Sequence, residues 1–464
     1  MPGRAEEVVQ GEVLRRVLFS LSGSASLEWM EDLCDLLRAG EPSLYVRAVP
    51  CASRFSSQAL PARSVRLFKD DAQNLPHLLQ PRLTSLSIFP RGLQEDPQHT
   101  ALILRRLSTG LWPRLRRLWV NHLTPELWDA LPPSVTSIAS RWSSRLGSLP
   151  KPAICHAHLE AHDGHGVPAL MPNLECLFIS STSDDAWNSL TDLPHLRSIH
   201  LGWFYAAWWR PFNALRHLRC GQAIRCDLPT DFSRLAPRLS HLFLRLYPYK
   251  KLTIPWDRLP QSLEHLVLRF DRRSGPPVKV EACRPLPHLR LLYFIQSAVD
   301  LSRLHLLAPN LHTLQLHTLA DLHPPASLRS LLIRPCLLGP PLMDAELLRS
   351  ALAAAPNLRH LSLTNIPGHA LEDEDMPWPP ALTQLSLGPY SLPASWLFLA
   401  PLLNAARRPF TIVYHQQKGT PPLEELLPAS SKHLAARTHR FQAPLRLGMC
   451  WMESETCDVI YQPL

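Results

Sequence analysis

The phrase Pro-x-Leu-x-x-Leu-x-Leu recurs along this chain and constrains its fold more than any other feature. It reads Pro81-Arg-Leu83-Thr-Ser-Leu86-Ser-Ile88 and Pro113-Arg-Leu115-Arg-Arg-Leu118-Trp-Val120. It returns at Pro172–Ile179, Pro194–Leu201, Pro237–Leu244, Pro287–Phe294, Pro309–Leu316, Pro356–Leu363 and Pro380–Leu387. Looser copies start at Val135, Ile154, Leu215, Leu263 and Leu328, which makes 14 units with first apolar positions 17 to 32 residues apart. A unit this short cannot bury its apolar face alone, so the period requires a stack of such units. With the first apolar residue as position 1, positions 4 and 6 share one side of a short strand, and positions 3, 5 and 7 share the other. Proline stands two or three residues before position 1 in 13 of the 14 units. It fixes φ and biases its predecessor toward extended backbone, so it stops a returning helix and starts a strand. This accounts for 47 prolines in 464 residues without invoking disorder.

The phrase resembles the leucine-rich repeat family over residues 81 to about 390. The resemblance implies an α/β fold: a curved solenoid with a parallel sheet on its concave face and short helices, turns and loops on its convex face. Three regions follow: a helical cap at 1–42, the solenoid at 43–390 and a C-terminal cap at 391–464. Degenerate opening rungs are expected at Tyr45–Val49 and Ser64–Phe68, and a strand at Phe410–Tyr414. Among the return segments, Asp344–Ala355 reads as a helix from its Ala/Leu content and acidic start, and Pro125–Ala130 and Ser302–Leu307 read as helical turns. Many family members carry Asn or Cys at position 9; here that position holds Arg91, Ser143, Thr182, Tyr247, Asp271 and Cys336, so the turn ladder of the family is missing there.

Residues 1–40 carry two amphipathic patterns, Glu6–Leu21 and Ser26–Leu37, which would cap the first rung as helices. The stretch Glu12–Leu21 is also similar to the opening helix of an F-box, which implies a second reading of the chain as a ubiquitin-ligase substrate receptor docking an adaptor through these helices. The Leu-Pro pair expected before that helix is absent; Gln10-Gly11 stands there. Val17–Ala25 is short, broken by serines and preceded by Glu6, Glu7 and Glu12, which argues against a secretory signal. No apolar stretch is long enough to span a bilayer. Ten cysteines without framework spacing point to reduced thiols and a cytoplasmic or nuclear address.

Phosphate-cradling glycine loops, His-Glu-x-x-His, Gly-x-Ser-x-Gly and the dinucleotide fingerprint are all missing, so a non-enzymatic role without cofactors is expected. The cluster Cys155-His156-Ala-His158-Leu-Glu160-Ala-His162-Asp163-Gly-His165 holds ligand types suited to zinc, nickel or copper. Among 22 histidines such clustering is cheap, and a solvated rung is the plainer interpretation; a metal site at His156, His158, His162 and His165 is the third reading.

Positions alternating with the leucines carry the more useful signal. Position 3 is His217, His241 and His265 in three consecutive units, beside Arg219, Arg245 and Arg269. Arg117, Trp119 and Arg141 extend this face toward the N-terminus; Phe243, Tyr293, His317 and Arg334 extend it further along. Arginine and aromatic side chains at the centre of a surface are the material of interaction hot spots. With a net charge of +9, they point to an acidic protein or peptide as partner. The charge is diffuse and no nucleic-acid module occurs, which argues against nucleic acid. The stacked imidazoles are expected to resist protonation, and an acidic partner to bind more tightly as pH falls from about 7.5 to about 6.

Overall fold

The computed structural model describes residues 83–89, 97–142, 146–159, 166–179, 189–201, 211–224, 231–246, 253–270, 279–281, 284–295, 299, 301–316, 322–333, 345–363, 371 and 376–387, with the strands 18–20, 45–47, 64–68 and 411–414. The chain divides into two compact units, 1–327 and 328–464.

In the first unit the repeat phrase becomes one strand per rung. The strands are β1 (Leu18–Ser20), β2 (Tyr45–Arg47), β3 (Ser64–Phe68), β4 (Ser85–Phe89), β5 (Arg117–His122), β6 (Ser137–Trp142), β7 (His156–Leu159) and β8 (Cys176–Ile179). They continue with β9 (Ser198–Leu201), β10 (His217–Ile224), β11 (His241–Leu246), β12 (Thr253–Pro255), β13 (His265–Phe270), β14 (Lys279–Glu281), β15 (Leu291–Ile295) and β16 (Thr313–Leu316). Each rung pairs in parallel with the next, from β1 through β11 and on through β13, β15 and β16. β12 and β14 form a separate parallel pair. The second unit holds β17 (Ser330–Ile333), β18 (His360–Leu363), β19 (Gln384–Leu387) and β20 (Thr411–Tyr414), also parallel and in order.

Two backbone devices repeat in the rungs and explain the phrase. First, the amide of position 1 donates to the carbonyl three residues earlier, closing a β-turn: Leu115 to Trp112, Leu174 to Met171, Leu239 to Ala236 and Leu358 to Ala355. In these turns the second residue is Pro113, Pro172, Pro237 and Pro356. Proline presets φ for that corner and its missing N–H costs no bond. The carbonyl-bearing residue is itself core: Trp112, Met171, Phe212 and Leu286 are buried, an apolar position that the sequence phrase omits. Second, the carbonyl of position 2 accepts two amides from the following rung. Thr84 accepts from Arg116 and Arg117, Arg216 from Ser240 and His241, and Glu264 from Arg290 and Leu291.

Position 9, where the family ladder is missing, lies outside the described residues at the positions named above. A side-chain ladder exists instead at the residue before position 1. Asn173 Nδ2 donates to Pro152 O (3.0 Å), and Asn310 Nδ2 to Pro287 O (2.8 Å). Ser262 Oγ reaches Pro237 O and Leu239 O at 3.0 and 2.8 Å, and Ser327 Oγ reaches Pro309 O and Leu311 O at 2.7 and 2.8 Å. The proline carbonyls at the turn corners are thereby satisfied by the next rung.

Positions 1, 4 and 6 form the core: Leu239, Leu242 and Leu244, then Leu263, Leu266 and Leu268, are all buried. Full burial of a leucine side chain is worth roughly 1.5–3 kcal/mol, so the repeated columns dominate the stability of the stack. Helices vary among the returns. Pro125–Asp129 is capped by Thr124, whose side chain accepts from the Leu127 amide, and Ala345–Ala353 falls inside the segment expected to be helical. Only Leu304–Leu307 is helical within the expected Ser302–Leu307. The longest helix among the described residues, Pro97–Ser108, was not expected, although Asp96-Pro97 in the sequence is a helix-start signal.

The N-terminal expectation needs correction. Leu18–Ser20 ends the segment expected as the helix Glu6–Leu21, yet it is a strand paired with β2. Its Phe19 shares a register line with Val46, Val65 and Leu86, so rung pairing overrides local helical periodicity. The rest of 1–42, including Ser26–Leu37, lies outside the described residues. At the other end β20 adds one more in-register rung beyond residue 391.

A clamp secures the rung before β7. Asp129 Oδ1 accepts from the amides of Ser148 and Leu149, both at 3.0 Å. Lys151 Nζ donates to the carbonyls of Asp129 and Leu131, both at 2.9 Å, and Trp128 Nε1 donates to Leu149 O at 2.9 Å. A Cβ on Gly147 would lie 2.2 Å from Asp129 Oδ1 and 2.6 Å from Trp128 Cδ1. Gly147→Ala is expected to displace this clamp and lower the urea midpoint by about 1–3 kcal/mol equivalent, as overpacking does. Ser262→Ala is expected to cost about 1 kcal/mol with an unchanged urea m-value, since it removes a hydrogen bond and not a rung.

Candidate functional site

The face opposite the leucines is built by register. Position 5 places Trp119, Ala139, His158, Phe178, His200, Arg219, Phe243, Val267, Tyr293 and Gln315 on one line from β5 to β16. Their rings meet. His158 stacks on Phe178 with centroids 3.8 Å apart and an interplanar angle of 14°. Phe178 meets His200 edge-on at 4.3 Å, and the Arg219 guanidinium carbon lies 5.0 Å from the Phe243 centroid. Trp119 reaches His158 at 5.9 Å across the small Ala139. Ring-on-ring and guanidinium-on-ring contacts of this kind add to area burial.

Position 3 forms the neighbouring line. His217, His241 and His265 are direct register partners, with centroids 4.5 Å apart at 90° and 4.1 Å apart at 71°. Ser240 Oγ lies 2.8 Å from His241 Nδ1. Position 7 places Arg245 beside Arg269, both half-buried.

Burial and neighbouring positive charge push these imidazoles below histidine's ordinary range. His241 is pushed down to about 4, by burial first and then by His265 and His217. His200 is pushed down to about 3, by burial first and then by Arg219 and His158. His217 is lowered by burial and Arg216 against the opposing pull of Glu264. His265 is lowered by burial, which Glu264 opposes while His217 and Arg290 reinforce it. The columns thus resist protonation in the free protein, as their stacking leads one to expect, with His241 and His200 uncharged from about pH 7.5 to about 6.

The residues singled out from sequence fall into several settings. Arg117 is exposed, and Trp119 and Arg219 are half-buried. Phe243 and Tyr293 are only 4% and 7% exposed, so they form a floor beneath the polar columns. Arg141 sits on β6 by its backbone, while His317 and Arg334 lie outside the described residues. Phe178 and His200 escaped the sequence reading. They were findable by following position 5 through every rung and not only through those with histidine at position 3.

The 155–165 cluster is divided. His156 is exposed with Cys155 Sγ 3.0 Å from its Nδ1, while His158 is engaged in the ring ladder. Burial and Glu175 push the Cys155 and Cys176 thiols up, away from the thiolate that binds metal. Among the described residues no group of three His, Cys, Asp or Glu side chains is placed to hold a metal ion; His162 and His165 lie outside them.

Register, core columns and turn ladder together define a leucine-rich repeat architecture. No protein-family profile matches the chain, and no curated protein matches it. Solved structures similar in part include the circular leucine-rich repeat protein CroV588, at 14% identity over 82% of this chain and 57% of that one, with a TM-score of 0.39. TLR13 in complex with ssRNA13 is 16% identical over 77% of this chain and 42% of that one, with a TM-score of 0.34. The leucine-rich repeat domain of APL1B is 13% identical over 90% and 100%, with a TM-score of 0.28. The chain thus spans little more than half the length of the first of these. At such TM-scores the fold assignment rests on the chain's own rungs. Among the described residues no helix is long and apolar enough to cross a membrane.

The lowered imidazoles set a sign for stability. An unfolded histidine takes up its proton near pH 6.5, whereas His241 and His200 resist it down to about 4 and about 3. Their contribution is fully present above pH 6.5 and is lost as pH falls through those folded values. Urea midpoints at pH 7.5, 6, 5 and 4 should fall steadily below about pH 6.5, and His241→Gln with His200→Gln should flatten the fall.

Proposed function

We propose that the protein is a non-enzymatic protein-interaction scaffold, and that an acidic protein or peptide segment is its partner. The observation that carries this reading is the ring ladder from Trp119 to Phe243, with stacked histidines beside Arg219, Arg245 and Arg269. A rigid, uncharged floor next to oriented guanidinium groups suits carboxylates, because Arg pairs with them in bidentate fashion while the floor excludes water. Arginine supplies the cation at neutral pH, and an acidic partner that raises the lowered imidazoles binds more tightly as pH falls from about 7.5 to about 6. Reduced, protonated thiols fit a cytoplasmic or nuclear setting. The adaptor-docking alternative draws no support from β1, which is a strand where the F-box likeness implies helix.

The test is affinity capture from cell extract with wild type and with Arg219→Ala/Arg245→Glu/Arg269→Glu. The variant should match the wild-type circular dichroism spectrum and lose acidic partners. Retention of every partner by the folded variant would refute the reading.

A further inference from the structure

The position-2 residues form a second row that sequence reading passed over. Their carbonyls carry the two-amide ladder, so the row is locked to the rung spacing of about 4.8 Å. From β8 to β15 the row reads Glu175, Arg197, Arg216, Ser240, Glu264, Arg290. Arg197, Arg216 and Arg290 are exposed, unlike the half-buried Arg219, Arg245 and Arg269. Among the described residues none of these three exposed arginines makes a side-chain hydrogen bond or ion pair. Arg197 and Arg216 occupy adjacent rungs, so their charges repel unless an anion joins them.

Given an acidic protein partner, as read above, we infer that this strand-start row selects it: an extended segment crosses the rungs with carboxylates on Arg197, Arg216 and Arg290. Glu175 at the end of the row and Glu264 between Arg216 and Arg290 decide the class of partner. A uniform polyanion such as nucleic acid would run its phosphates past two carboxylates, whereas a mixed-sequence polypeptide can set basic or neutral residues there. From Glu175 to Arg290 the row covers five rung intervals, about 24 Å, which an extended peptide spans in about eight residues. Side chains of an extended segment alternate in direction, so the charge order, minus, plus, plus, neutral, minus, plus, calls for its complement on alternate residues, a segment of the form Lys-Gly-Glu-Ser-Glu-Gly-Lys-Ser-Glu. It also fixes register, since a shift by one rung sets Glu against Glu175 in one direction and Lys against Arg197 in the other.

Fluorescence anisotropy at low ionic strength with that labelled peptide tests the inference, beside the same residues reordered as Glu-Gly-Lys-Ser-Lys-Gly-Glu-Ser-Glu. The matched order should bind about tenfold more tightly, and Arg197→Glu/Arg216→Glu should abolish the preference. Both sites are exposed, and matched thermal midpoints verify the fold. Loss of the peptide in Arg245→Glu/Arg269→Glu but not in Arg197→Glu/Arg216→Glu would overturn the row while leaving an acidic partner standing. Indifference of wild type to peptide order would overturn the row outright, and absence of binding by either peptide would count against both readings. An octameric oligouridylate that outcompetes the matched peptide and depends on Arg197 and Arg216 would replace the polypeptide with nucleic acid.

Discussion

One carbonyl per rung, at position 2, receives two amides from the next rung, and the remaining geometry hangs on it. This bifurcated contact fixes each strand start relative to the last, from Thr84 to His312 in the first unit. A one-residue slip in any rung would move leucines to the opposite face, and the fixed start forbids it. The β-turn with proline at its corner delivers the chain to that point with φ already set. The Ser and Asn ladder then consumes the corner carbonyl. Neutral backbone groups, buried at the seam between rungs, are thus paired by design of the repeat and not by chance.

Because register is held this tightly, side chains of equal position become columns, and columns acquire properties that single residues lack. One histidine on a sheet face is an ordinary surface group. Three in register, edge to face at 4.1 to 4.5 Å, bury one another and disfavour the charged form. The same stacking builds a continuous floor from Trp119 to Gln315, with Phe243, Val267 and Tyr293 buried although they stand opposite the core. Guanidinium groups carry charge on this face. In the second unit the corresponding line is Leu332, Ser362, Ser386 and Val413, so the aromatic ladder is a property of the first unit.

Much of this was legible early. The strands at Leu83-to-Ile88-type phrases, the opening rungs at Tyr45 and Ser64 and the late strand at Thr411 all follow from alternation, which needs only neighbours two residues apart. The pairing of His217, His241 and His265 followed from their equal place in the phrase. The helix Pro97–Ser108 was legible at its start, where Asp96 precedes Pro97 at the first helical position, but it was passed over because it lies between two copies of the repeat phrase. Leu18–Ser20 misled for the opposite reason: its apolar spacing fits a helix, yet pairing with β2 claims its backbone.

The sequence by itself determined the rung, its parallel order and its leucine, proline and asparagine or serine columns, because these depend on repetition along the chain. Only the tertiary structure decided which of the alternating residues are reachable. Exposure depends on neighbours two rungs away and on the size of the side chains between them. Ala139 lets Trp119 reach His158, Arg219 covers Phe243, and Arg197 and Arg216 stay in solvent at the seam. Periodicity names a position; packing across strands assigns its charge, its burial and its use.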